Sequence, residues 1–141
     1  MPLIKILDGG MGTGLISQGI KLPPHIWSAD TNINNPSLVY KIHKKYIESG
    51  SDYIITNTFR TTPRSYMKTG LSIIKSKEIA HQSLINAVKM AQKARRETKV
   101  KILGSIAPLE DCYKPSNYPG DRKAKLEFLE LSSWFVDSGI D

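Results

Sequence analysis

Cysteine is nearly absent: Cys112 is the only one in the chain. One thiol excludes an internal disulfide, and it equally excludes a multi-cysteine zinc site built from this chain alone. Long hydrophobic runs are missing too, since no stretch approaches the roughly 18 apolar residues of a membrane span. The N-terminus "MPLIKILDGG" is broken by Lys5 and Asp8, which does not fit a secretory leader. These absences make a cytoplasmic protein without a membrane partner the expectation. Acidic charge is scarce relative to basic, 13 residues against 20, for a net charge of +7. The basic excess sits in "HKKY", "KMAQKARRETKVK" and "DRKAK", where helical spacing reads as a solvated face. No aromatic-interleaved strand accompanies it, so nucleic acid is not the expected partner.

What is present is a globular composition, with 40% hydrophobic and 23% charged residues over 141 positions. That length suits one domain and is short for two. Three short apolar segments read as buried parallel strands: residues 3–7 (LIKIL), 52–56 (DYIIT) and 100–107 (VKILGSIA). Three helices are expected between and after them. The first has Asn35 as N-cap, Pro36 at its first position and Gly50 as its stop, with Val39, Ile42, Tyr46 and Ile47 on one face. The second covers about 72–97 and lines up Ala80, Leu84, Ala87, Val88 and Ala91. The third covers about 121–139 with Leu126, Leu129, Phe135 and Val136 as its apolar residues. The order βαβαβα points to a parallel α/β fold.

The chain repeats itself once. "ESGSD" at 48–52 and "DSGID" at 137–141 are both read as helix ends, with glycine in a left-handed turn before a strand. The first copy runs into a strand, while the second stands at the end of the sequence. We therefore expect residues 1–141 to be one partial domain, cut before a fourth strand. The plainer alternative is a C-terminal helix that ends the same way by coincidence.

Chemistry-bearing residues cluster after the three strands. "ILDGGMGTGL" puts Asp8 and four glycines after the first, where a carboxylate can hold an amino group and backbone N–H groups of Gly9 and Gly10 can meet a carboxylate. The competing reading is a tight turn whose Asp8 caps nearby amides. "TNTFRTTP" follows the second strand, and "GSIAPLEDCY", with Ser105, Glu110 and Asp111, follows the third. Three polar loops on one side are what the ligand-binding face of a (β/α)8 barrel looks like. Trp27 either covers the mouth of such a site or packs. His43 reads as a packed histidine, Cys112 as a small buried residue, and "YKPSNYPG" as a turn-rich loop.

These motifs resemble the homocysteine S-methyltransferase family. The resemblance rests on "LDGGMGT" at 7–13, "WSA" at 27–29, "NNPSLVYKIHKKYIESGSDYIITNTF" at 34–59 and "GSIAPLEDCY" at 104–113. It implies the N-terminal portion of a (β/α)8 TIM barrel, about three βα units. It also implies homocysteine and a small methyl donor as substrates, and methyl transfer to the thiol to form methionine. By the same resemblance Asp8 and Gly9 hold the amino-acid end, Asn57, Thr58 and Phe59 line the pocket, and Ser105 lies beside it. Zinc is expected for the complete family enzyme, but its cysteine ligands are absent from this chain, and no residue here is assigned to catalysis or metal. Gly14 departs from the family's usual Glu and is expected to loosen the turn into the next helix. The chain alone is then expected to be inactive. The alternative is a non-enzymatic half-barrel that pairs its open edge with another chain.

Overall fold

The computed structural model describes residues 4–141, an α/β arrangement of six α-helices and two short parallel strands. Helices α1 (Met11–Ser17), α2 (Ala29–Asn34) and α3 (Pro36–Glu48) precede β1 (Tyr53–Ile55); α4 (Pro63–Met67) and α5 (Ile73–Arg95) precede β2 (Lys101–Leu103); α6 (Asp121–Ser138) follows. The strands pair in register Tyr53↔Lys101, Ile54↔Ile102 and Ile55↔Leu103. Leu3 lies outside the described residues. The remainder of the expected first strand runs beside β1 and makes a single parallel bridge, Leu7↔Tyr53.

Both strands are shorter than the sequence suggests, and side chains explain why. Ser105 turns its N–H to the hydroxyls of Thr56 and Thr58 at 3.3 and 3.1 Å, so the second strand leaves the ladder after Leu103. At the other end, Asp52 enters the ladder through its own backbone N–H to Ile6 O at 2.8 Å. Its carboxylate also accepts the Ile6 N–H at 2.9 Å. Asp141 repeats the second bond, accepting the Ile102 N–H at 3.0 Å and pairing with Arg95. The two copies of the sequence repeat thus do the same job. Their glycines, Gly50 and Gly139, hold φ of +99° and +70°, the left-handed turn that frees the Asp to reach back.

The three expected helices are present with the expected stops, but their starts and faces differ in detail. Asn35 precedes α3 without capping it; its Oδ1 accepts the Ser37 hydroxyl at 3.0 Å, leaving Pro36 to set the first turn. Thr62 and Ser72 do cap, accepting from Ser65 N and Lys75 N at the starts of α4 and α5. Helix α5 is the central support, touching α2, α3, α4, α6 and β2. Ala80, Leu84, Ala87, Val88 and Ala91 are all buried, as the stripe requires. Its small side chains let neighbours approach, and Ala91 meets Ile54 and Ile102 beneath the strands.

Helix α6 corrects the sequence reading. Leu126, Leu129 and Val136 are exposed, at 62%, 58% and 79%, while Ala124, Leu131 and Phe135 face inward. The reason is that α6 packs on one narrow face, where Leu131 and Phe135 meet Leu84 and Val88 of α5. Gly14 is also corrected: it lies within α1, and a Cβ there would come to 3.3 Å from Ile42 Cγ2. Its role is close approach of α1 to α3 rather than a loosened turn. Cys112 is exposed, not buried. His43 is fully buried, as expected of a packed residue, but neither ring nitrogen finds a partner among the described residues.

Two outcomes follow for stability. Leu131→Ala costs about 2 to 4 kcal/mol through lost burial and a cavity, whereas Leu126→Ala stays below about 0.5 kcal/mol; urea denaturation of both variants checks the new face assignment. Burial pushes the His43 imidazole down from 6.5 to about 4. The unfolded chain binds that proton more tightly than the folded one, so stability declines as pH falls from about 6.5 towards 4, by about 3 kcal/mol in all. Urea midpoints between pH 7 and pH 4 should fall less steeply in His43→Leu; parallel curves would contradict the assignment.

Candidate functional site

The carboxyl ends of the strands deliver their loops to one cleft of about 220 Å³. Gly9, Gly10 and Gly12 form one wall, Trp27 and Phe59 bring aromatic rings, and Ser105 closes the side next to β2. Asp8 directly precedes the glycine wall in sequence but is not itself part of the cleft lining. Its Oδ2 accepts the Ile55 N–H at 2.9 Å, so the capping reading of this turn is correct for one oxygen. The other, Oδ1, is buried and meets no donor among the described residues. Burial pushes the Asp8 carboxyl up from its ordinary value, against the backbone N–H bonds that pull it down. A cation beside Oδ1 would relieve that unfavourable burial.

Tyr46 shapes the same corner, a role its helical position alone does not reveal. Its hydroxyl donates to Gly10 O at 3.1 Å. Burial and the neighbouring Asp8 charge push the phenol up, keeping the proton it donates. The ring lies against Gly9: a Cβ there would sit 2.8 Å from Tyr46 Oη and 2.9 Å from Cε1. A side chain at position 9 would therefore have to displace the Tyr46 ring. Trp27 carries a second signature, φ of +49°, which is unusual for a bulky residue. That backbone puts the indole Nε1 where a Cβ on Gly12 would be only 2.8 Å away. Trp27 is 42% exposed and lines the cleft, so it belongs to the mouth rather than to the core.

The remaining sequence-assigned residues divide between cleft and framework. Phe59 and Ser105 line the cleft. Asn57 also lines it, yet its amide nitrogen donates to Ser28 O and Asn32 Oδ1, both at 2.8 Å. Asn32 answers by donating to Asn57 O at 2.8 Å and Ser83 Oγ at 3.0 Å. This buried network fixes α2 and Ser28 against the end of β1. Thr58 is wholly buried and is not part of the cleft lining; its hydroxyl donates to Ser105 O at 2.8 Å and meets Thr56 Oγ1 at 2.7 Å. It is a clamp between two loops. Glu110 is drawn away from the cleft by Arg64 at 2.9 Å and by Lys68, while Arg64 also grips Glu127 of α6. Among the described residues no three His, Cys, Asp or Glu side chains converge, so these residues do not form a metal site.

Residues 5–138 match the family model described as homocysteine S-methyltransferase. The homocysteine S-methyltransferase of Escherichia coli strain K12 is 30% identical over 136 residues, which is 90% of this chain and 43% of that protein. Among solved structures, the oxidized form of the E. coli homocysteine methyltransferase MmuM aligns at a TM-score of 0.82 and 26% identity, covering 98% of this chain and 51% of that one. Its metallated form aligns at 0.79 and 28% identity over the same shares. The chain spans about half the length of these relatives.

Gly9→Ala is expected to disturb this corner by driving the new Cβ into the Tyr46 ring. The variant should melt at lower temperature than the parent, and pairing it with Tyr46→Leu should recover part of the loss. Differential scanning calorimetry of the four proteins measures the coupling, and strict additivity would contradict it.

Proposed function

Because the chain belongs to the homocysteine S-methyltransferase family, we propose that its 141 residues are the amino-acid-binding part of a (β/α)8-barrel enzyme that methylates the homocysteine thiol to give methionine. About three βα units of that barrel are contained here. The observation that carries the reading is the Asp8 carboxylate, with one oxygen holding Ile55 and the other buried without a donor. An ammonium group would satisfy that second oxygen, since it supplies N–H donors and a compensating positive charge.

The rest of the cleft suits an amino acid with a short sulfur-bearing side chain. Met11 and Gly12 open α1 and line the cleft, and among the described residues no side chain caps this helix start. The backbone N–H groups there are suited to the substrate carboxylate. Phe59 and Trp27 offer apolar surface to the methylene carbons. Ser105, held by Thr56 and Thr58, keeps the third loop at a fixed distance from the first two. These residues bind and orient.

A zinc ion, when bound, lowers the pKa of a thiol and favours the nucleophilic thiolate. The described residues do not fit that ion, and Cys112 is an exposed loop residue outside the cleft. No step of the transfer is assigned to a side chain here. The contribution of this chain is to hold the amino-acid end so that the sulfur has one direction to point. By itself the chain is expected to bind homocysteine and not to turn it over.

The test is binding rather than turnover. Titration calorimetry of the chain with homocysteine should give an affinity that Asp8→Asn weakens by about tenfold or more, the range of a lost charge-assisted hydrogen bond. Equal affinity in the two proteins would remove Asp8 from the site.

A further inference from the structure

A second cleft, of about 500 Å³, is markedly basic. Arg60, Lys114, Lys68 and His25 line it, with Asp111 as its one carboxylate. Several of its lining residues are close in sequence to residues of the substrate cleft. His25 lies two residues before Trp27, Arg60 directly follows Phe59, and Lys114 and Asp111 belong to the loop that begins at Ser105. The Arg60 guanidinium is centred 5.1 Å from the ring of Phe59, which lines the first cleft.

The charges in this cleft are unequally matched. Lys68 pairs with Glu110, which is already shared with Arg64. Arg60 and Lys114, like most of the basic side chains, have no carboxylate within ion-pair distance among the described residues; what sets them apart is that they line one cleft together. Asp111 turns one oxygen to the Tyr113 N–H at 2.9 Å, which fixes the loop rather than neutralising a neighbour. Arg60 is half-buried, and its stacking on Phe59 holds the guanidinium in place, leaving its N–H donors available for a planar or tetrahedral oxyanion.

We propose that this cleft is an oxyanion subsite that takes the carboxylate or phosphate end of the second substrate, with Arg60 and Lys114 as its anchoring charges. The assignment to the methyl donor rests on the methyltransferase reading; the oxyanion site itself does not. A donor held there by its anionic end would reach past Phe59 toward the sulfur of an amino acid held at Asp8. Ser65 and Asn117, also in the lining, add neutral hydrogen-bonding capacity without opposing the charge.

The experiment is a calorimetric titration of the full chain at low ionic strength with inorganic phosphate and, separately, with succinate. Arg60→Gln and Lys114→Gln should each weaken the better of the two probes by about tenfold, and Arg60→Lys should restore part of the affinity. Lys89→Gln, on the exposed side of α5 and in neither cleft, should match the parent. Preference for phosphate identifies a phosphorylated partner, and preference for succinate a carboxylate one. Undiminished binding in the Arg60 and Lys114 variants, equal loss in Lys89→Gln, or no binding of either probe overturns the subsite. Homocysteine titrated into the same proteins separates the two ideas: its failure to bind counts against the methyltransferase reading alone, because the phosphate and succinate measurements contain no homocysteine. Far-ultraviolet circular dichroism of each variant, matching the parent, ties a lost signal to the substitution.

Discussion

The arrangement depends on aspartate carboxylates that accept backbone N–H groups from the neighbouring strand. Asp52 takes Ile6, Asp141 takes Ile102 and Asp8 takes Ile55. With only three residues in each named strand, the ladder alone has few bonds with which to fix a register. A carboxylate that accepts an N–H at a set position adds a charge-assisted bond where a slipped register would lose it. The Ile6 N–H and Lys5 hold Asp52 below the usual carboxylate range, and the Ile102 N–H and Arg95 do the same for Asp141. The backbone bond is the larger influence in both. The repeat of Ser, Gly and Asp is therefore a register device, and the left-handed glycine is the hinge that lets each Asp turn back.

Fixing the register at one end decides what meets at the other. Once Ile54 faces Ile102, Thr56 and Thr58 arrive beside Ser105, and their hydroxyls close the gap between the two loops. Asn57 then reaches Ser28 and Asn32, which anchor the segment carrying Trp27. A buried amide or hydroxyl is costly unless satisfied, and here the donors and acceptors satisfy one another across β1, α2 and α5. The cleft is consequently rimmed by residues whose own positions are over-determined. That suits a site that must hold a small, flexible ligand in one orientation.

The helices with strong punctuation were legible: Pro36 and Gly50 bracket α3, and the apolar stripe of α5 identifies its inner residues. Helices α1, α2 and α4 are too short for periodicity to expose them; α4 has five residues and depends on the Thr62 cap and Pro63. The inner face of α6 could not be read because Leu126, Leu129, Leu131, Phe135 and Val136 surround the helix, and only the position of α5 selects among them. At the site, the Asp and glycines after the first strand were visible as chemistry. The division of labour in "TNTF" was not. Asn57 and Thr58 have the residue types of ligand-binding groups, but their partners, Ser28, Asn32 and Ser105, lie 29, 25 and 47 positions away. Tyr46 escaped for the same reason, since a helical tyrosine beside Ile47 reads as core until Gly9 is placed against its ring.

Asp8 stands at the junction of these two levels, with one oxygen bonded into the sheet and the other buried without a donor among the described residues. Ionised, it stabilises the Ile55 register and offers charge to an ammonium group; protonated, it weakens in both roles. Burial favours the protonated form, and the Ile55 N–H opposes that preference. An ammonium beside Oδ1 would shift the balance further to the carboxylate and so strengthen the bond to Ile55 from the other side of the same group. By linkage, the reverse also holds: whatever keeps β1 in register favours the ionised Asp8 that an ammonium prefers. Register and affinity for an ammonium group would in this way be two consequences of one carboxylate. The aspartate that closes the first strand is thus also the residue through which the fold would recognise its ligand.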